Sequence, residues 1–289
     1  MDKALSAPLV DAAPETGREA QAPLRLVPDL HARPSAAAAW AAWVFPSAQR
    51  HRRLLRHYAL GDWHRVRVLA RALRGASARR PELDFELDLH LAGIYARDHA
   101  LADALARLEP WRARLTTRPG AFDAAVSQVH LMAGDTGGHV AALARAHRQA
   151  PQEPVRRIEL ALAEARFGDL AHAEALLGDA NVPAAALQGR VAWTRGLLQL
   201  RGGRPEAAAI TLGGAVAPLA AEAAAHEAWI PLAACACDHA IALHQAGRSE
   251  AARARIAAAW PVLQHHATVP LLRMLEADGL LPTRTPPNT

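Results

Sequence analysis

The residues with the clearest chemical potential sit in one short run, Cys235-Ala-Cys237-Asp238-His239. Two thiols, a carboxylate and an imidazole are ligands that zinc or copper accepts. The spacing argues against a shared ion: on a helix, residues two apart point about 200° away from one another, so both thiols cannot reach one metal. Cys235 and Cys237 therefore read as small core residues, and no metal or other cofactor is expected. His265-His266 has no spaced partner, and His239 with His244 misses the i, i+4 interval that puts two ligands on one face. His226-Glu227-Ala-Trp-Ile starts like a His-Glu-x-x-His zinc site but carries isoleucine where the second histidine belongs. Gly134-Asp-Thr-Gly137-Gly138-His invites comparison with a phosphate loop, yet no Gly-Lys-Ser/Thr follows and no strand pattern precedes it, so it reads as a turn. A Gly-x-Ser-x-Gly elbow is absent. The expectation is a protein that is not an enzyme, since only unpaired histidines would be left to do chemistry.

Charge is the second candidate. Between residues 50 and 80 lie Arg50, Arg52, Arg53, Arg56, Arg65, Arg67, Arg71, Arg74, Arg79 and Arg80, opposed only by Asp62. This segment carries +9 whereas the whole chain carries +5. Lys3 is the only lysine, which together with the alanine excess fits a GC-rich, bacterial coding bias. Such a bias does not segregate charge, so the asymmetry needs its own explanation. Arg67, Arg71 and Arg74 share one helical face, with Val66, Leu69 and Leu73 opposite. With Arg50 and Arg53 they make a basic patch suited to an acidic protein or an anionic lipid surface, and less well to nucleic acid; the plain alternative is a solvated face. The segment just before it, with Trp40, Trp43 and Phe45 ahead of Pro46, is apolar nearly all round. Aromatics flanked by arginines suit a membrane interface, whereas a helix apolar all round is more often buried as a cap.

These residues must be held by helices. About half of the 289 residues are apolar, aromatics make up 4%, and alanine, the best helix former, is abundant. Alternating strand patterns are missing, so the chain reads as all-α. The amino-terminal MDKALSAPLVDAAPE carries no apolar secretory core, the two cysteines form no disulfide framework, and no apolar run is read as long enough to span a bilayer. A cytoplasmic protein is expected, with a position peripheral to the inner membrane as the alternative. Residues 1–34 and 281–289 read as flexible tails, and 35–46 as an apolar amino-terminal segment or cap.

Between them the sequence repeats. Turn segments recur at Gly61, Asp98, Gly134, Gly168, Gly203 and Gly247, at steps of 37, 36, 34, 35 and 44 residues. Glycine suits a point where one helix stops in a left-handed residue and the chain reverses. Small residues follow at fixed intervals: Ala173 and Ala180 after Gly168, Ala208 and Ala215 after Gly203, Ala252 and Ala259 after Gly247. Gly196 and Ala240 precede the last two turns, and Ala146 with Pro151 follows Gly134. In these features the chain resembles the tetratricopeptide repeat (TPR) family over residues 47–260. The resemblance implies a right-handed superhelical solenoid of about six helix-turn-helix repeats, closed by capping helices over 261–280.

In the family's register the first helix of each pair lines a concave face. The resemblance thus points to His51, Leu55, Tyr58, Asp88, Tyr95, Gln128, Trp193, Leu197, Arg201, Asp238 and His244 as inward residues. It implies a scaffold or adaptor that binds a peptide or helix of another protein there. The family's clamp for terminal carboxylates needs inner lysines and asparagines, and this chain has asparagine only at 181 and 288. The alternative is the cytosolic module of a membrane-associated assembly, attached through residues 35–56. Oligomeric state is not legible.

Overall fold

The computed structural model describes residues 25–30, 46–76, 81–178 and 185–282. Trp40, Trp43, Phe45, Arg79, Arg80 and Ala180 lie outside them. The described residues contain thirteen α-helices and no strand: α1 Pro46–Ala59, α2 Trp63–Ala76, α3 Pro81–Arg97, α4 Leu101–Arg112, α5 Ala121–Met132, α6 Thr136–Gln149, α7 Pro154–Phe167, α8 Leu170–Leu177, α9 Ala185–Arg201, α10 Pro205–His226, α11 Trp229–Gln245, α12 Ser249–His266 and α13 Val269–Ala277.

The turns inside the hairpins share one hydrogen-bond pattern. At the end of α1, Gly61 N–H bonds the Tyr58 carbonyl and Asp62 N–H reaches back to His57. The same pair closes α5 at Gly134–Asp135, α9 at Gly203–Arg204 and α11 at Gly247–Arg248. It satisfies carbonyls that the helix end would otherwise leave bare. In the copy without glycine the left-handed residue is His99 (φ 63°), not the expected Asp98. At Gly168 φ is −125°, so the chain leaves α7 without a left-handed residue. There Asp169 N–H bonds Glu164 Oε2 instead, and the Asp169 side chain caps α8 through the amides of Ala171 and His172.

Each first helix packs on the second of its own pair, and each second helix packs on the next first helix. First helices also meet directly where α3 touches α5, α7 touches α9, and α9 touches α11. The small residues sit at these approaches. Ala146, Ala173, Ala208, Ala215, Ala240, Ala252 and Ala259 are all fully buried, and a β-carbon on Gly196 would collide with Leu212 of α10. The core divides into separate apolar clusters along the chain, the largest built from α7 to α13.

Three features depart from the sequence reading. Leu26, inside the expected tail, is only 3% exposed and belongs to the largest cluster. Helix α12 runs unbroken through Pro261 to His266, so only α13 stands apart as a short final helix. Finally, α10 is 22 residues long and apolar enough, by length and composition, to cross a membrane. Its Ala208, Leu212, Ala215, Leu219 and Ala223 form a buried stripe against α9 and α11, which is what a core helix requires.

The two ends of the chain meet. Helix α1 packs against α11 and α12. Arg56 donates from Nε and Nη2 to the two oxygens of Glu227, at 2.9 and 2.8 Å. The Trp229 indole donates to the same carboxylate at 2.8 Å. The Glu227 side chain is 2% exposed and its backbone is left-handed (φ 59°). His266 Nε2 bonds the Tyr58 carbonyl at 3.0 Å, and a β-carbon on Gly61 would strike the His265 ring.

Replacing Glu227 with alanine leaves the Arg56 fork and the Trp229 indole without their acceptor. Because Arg56 is about a third exposed, the expected loss is moderated by water to about 2–3 kcal/mol. Urea unfolding of Glu227→Ala against the parent measures it, and a loss below about 0.5 kcal/mol would show that the ends are not held there.

Candidate functional site

Two cavities lie where the first helices converge. The first, about 260 Å³, is bounded by Leu55 and Tyr58 of α1, Leu89, His90 and Gly93 of α3, Gln128, Val129, Leu131 and Met132 of α5, and Ile230 of α11. Glu227 closes its end. The second, about 360 Å³, continues past Leu131 and Ile230, which border both. Its walls include Phe167 of α7, Leu197 and Arg201 of α9, Ala234, Asp238 and Ile241 of α11, His266 of α12, and Leu271 and Met274 of α13. Both are mainly apolar with a few polar groups, the usual make-up of a ligand pocket.

Of the expected inward residues, Leu55, Tyr58, Gln128, Leu197, Arg201 and Asp238 border these cavities. Tyr58 is nearly buried, and its ring meets His90 edge-on with centroids 4.6 Å apart. Burial pushes its hydroxyl pKa up. Arg201 donates Nη1 to the carbonyls of Ala165 (3.0 Å) and Gly168 (3.1 Å), where α7 ends.

The remaining inward residues do not line either cavity. His51 sits 3.1 Å from Glu86, whose carboxyl pKa that contact pulls down. Asp88 turns toward the neighbouring helices: it accepts from Arg74 of α2, from Arg107 at 2.9 Å and from the Trp111 indole at 3.0 Å, both of α4. Tyr95 is exposed with Arg107 over its ring. Trp193 is 3% exposed and donates its indole N–H to Asp238 at 2.8 Å. His244 bonds Ser249 Oγ across the α11–α12 turn. The family register places these residues on first helices but does not say whether each side chain leans into the lumen or onto a neighbour.

Arg166, which the sequence reading did not single out, pairs with Asp238 at 3.0 Å inside the second cavity wall. Burial pushes the Asp238 carboxyl pKa up, against the pull of Arg166 and of the Trp193 indole. The signal available in the sequence was an acidic residue in an otherwise apolar helix. Cys235 and Cys237 are fully buried, and burial drives the Cys237 thiol up to about 12. Among the described residues no cluster of three metal-ligating side chains occurs.

The basic patch is partly quenched. Arg56 serves Glu227, Arg67 faces Asp98 at 3.7 Å, Arg74 pairs with Asp88, and Arg65 lies 3.4 Å from Asp62. Arg50, Arg52, Arg53 and Arg71 stay exposed. The chain matches no family model, no curated protein and no solved structure.

Four histidines ring the junction of the two ends, and all are biased toward the neutral form. Burial lowers His57, His90 and His265, and lowers His266 to about 3; Arg97 adds to the effect at His265 and His266. The unfolded chain protonates such groups near 6.5. Above that pH they are neutral in both states and stability is at its full value. As pH falls below 6.5 the unfolded state gains protons that the folded state refuses, so stability declines. The midpoint of urea unfolding should therefore drop between pH 6.5 and 5, above the range of ordinary carboxylates. His266→Phe should reduce the proton uptake on unfolding by about one; an unchanged pH slope would remove His266 from this role.

Proposed function

We propose that this chain is a TPR-like scaffold: a right-handed superhelical array of about six helical hairpins whose ends touch, built to hold a peptide or helix of another protein against the inner helices. The observation that carries this reading is the pair of apolar cavities, walled by the first helices α1, α3, α5, α7, α9 and α11 and closed on one side by α12 and α13. Leu131 and Ile230, shared by both cavities, offer a continuous apolar floor for a partner's side chains. Gln128 and Arg201 at their edges supply polar contacts, the charged one suited to a carboxylate. In this role the protein acts without catalysis and without a cofactor, in the cytoplasm.

Selection of a random peptide library on the full-length protein tests this. Enriched peptides should carry apolar anchors, and Leu131→Arg or Ile230→Arg should weaken their binding by about tenfold or more, with melting temperature as the folding control. A library that yields no sequence preference, or peptides indifferent to both changes, would overturn the reading.

A second reading, attachment to an anionic membrane, is favoured by the exposure of Arg50, Arg52 and Arg53 on the helix that follows the tryptophan-bearing segment. The protein should then float with phosphatidylglycerol vesicles at low salt and be released at high salt. Replacing the three arginines with glutamine should abolish flotation. Absence of flotation at low salt disposes of the idea.

A further inference from the structure

While the two ends of the chain touch, the inner space is too small for a helical partner. A single helical turn, taken as a cylinder about 10 Å across and about 5.4 Å long, fills roughly 420 Å³. The two cavities hold about 260 and 360 Å³. Leu55, Tyr58 and Ala59 of α1 wall the first, together with Ile230 and Pro231 of α11. A helix reaches the floor at Leu131 and Ile230 only if two neighbouring elements part.

The seam between α1 and α11–α12 is built differently from the joints inside the array. Inside, helices meet over fully buried alanines such as Ala146, Ala208 and Ala215, and over Gly196. At the seam the contacts are the Arg56 fork on Glu227, the His266 bond to the Tyr58 carbonyl, and the edges of the Trp63, His265 and His266 rings. Both members of the ion pair regain water when the seam parts, which offsets much of the lost attraction.

Residues 25–30 lie across this seam. Leu26, with Val27 beside it, joins Ala59 and Leu60 of α1 in an apolar cluster otherwise drawn from α7 onward. Arg25, Val27, Pro28, Asp29 and Leu30 border a hollow with Leu60. The Glu227 hydrogen bond raises the Arg56 pKa and the charge of Asp29 adds to it, so Asp29 lies near the fork. The segment is not helical, and among the described residues it makes no backbone–backbone hydrogen bond. Its hold rests on side chains, Leu26 foremost. Chain anchored in that way peels off without breaking a helix.

We infer that residues 25–30 are a strap over the seam, and that the α1–α2 hairpin is a lid that parts from α11 and α12 when the strap lifts. The lid's purpose, admitting a partner to the inner helices, rests on the scaffold reading; the opening itself does not.

Thiol labelling of the full-length protein tests the opening with no partner present. Ala59→Cys places a reporter in the seam at a position 1% exposed, while the fully buried Cys235 and Cys237 report global unfolding in the same molecule. At low reagent concentration, labelling tracks the population of the open form. The introduced thiol should react at least about tenfold faster than the native pair, and Leu26→Ala should speed it by about tenfold or more. Leu212→Ala, between α9 and α10, should speed the native pair and leave the seam thiol unchanged. Ala70→Cys, inside the cluster of α1, α2 and α3, should react as slowly as the native pair, because the hairpin moves as a unit. If Ala59→Cys does not fold, Ile230→Cys reports from the other side of the seam. A seam thiol that reacts in step with Cys235 and Cys237, one indifferent to Leu26→Ala, or an equally fast thiol from Ala70→Cys would each overturn the inference. Peptides selected on the protein should associate about tenfold faster with Leu26→Ala, and an unchanged rate would overturn the lid as their entry route. If selection yields no peptide, the scaffold reading fails and the labelling still decides the opening.

Discussion

A buried carboxylate holds the two ends of this molecule together, and most of what is distinctive about it follows from that contact. Taking an ionised carboxylate out of water costs several kcal/mol unless donors replace the lost hydration. Glu227 receives three: two from the Arg56 fork and one from the Trp229 indole. Its left-handed backbone adds a further cost of about 1–3 kcal/mol for a residue with a β-carbon. The contact is built where the chain leaves α10 and enters α11, so the turn that carries Glu227 also sets the direction of α11. Tyr58, His265 and His266 complete the junction with rings rather than charges. Without it, α1 would not lie over Ile230, and the first cavity would lose one wall.

Much of the helical framework was legible in the sequence because its determinants are local. A glycine followed by a helix-opening residue ends one helix and starts the next within four positions, and alanines at fixed offsets mark where helices touch. Those of the alanines that lie among the described residues are buried as the spacing requires. The exceptions are instructive. His99 adopts the left-handed conformation without being glycine, and Gly168 does not adopt it despite being glycine. At Gly168, Glu164 takes over by accepting from the Asp169 amide. Turn chemistry thus has more than one solution, and a residue type marks the turn without fixing its backbone. The cap expected over 261–280 begins later than that boundary, because the helix carries straight through Pro261 to His266.

The candidate site was less legible, because its defining contacts join residues far apart in the chain. Arg56 and Glu227 are 171 positions apart, and Tyr58 and His266 are separated by 208. Nothing in either local pattern announces the other. The register of a first helix identifies which residues face inward on average, and Leu55, Tyr58, Gln128, Leu197 and Arg201 do border the cavities. Asp88 and Trp193 instead satisfy polar partners on adjacent helices, an outcome decided by Arg74, Trp111 and Asp238 rather than by their own positions. The partners of the arginine-rich segment were hidden for a similar reason: its counter-charges Asp88, Asp98 and Glu227 arrive from other helices.

The meeting of the first and last hairpins also constrains when the molecule can finish folding. On a ribosome adding about 5–20 residues per second, α1 emerges long before α11 and α12 exist. The 208 positions between Tyr58 and His266 correspond to a delay of roughly ten to forty seconds at those rates. During it, α1 and α2 can pair locally, but the edge of α1 that ends up against α11 stays uncovered. Hairpins in the middle of the chain, whose neighbours follow immediately, face no such wait. Nascent-chain protection of the amino-terminal region thus matters more for this protein than for an array whose ends never touch.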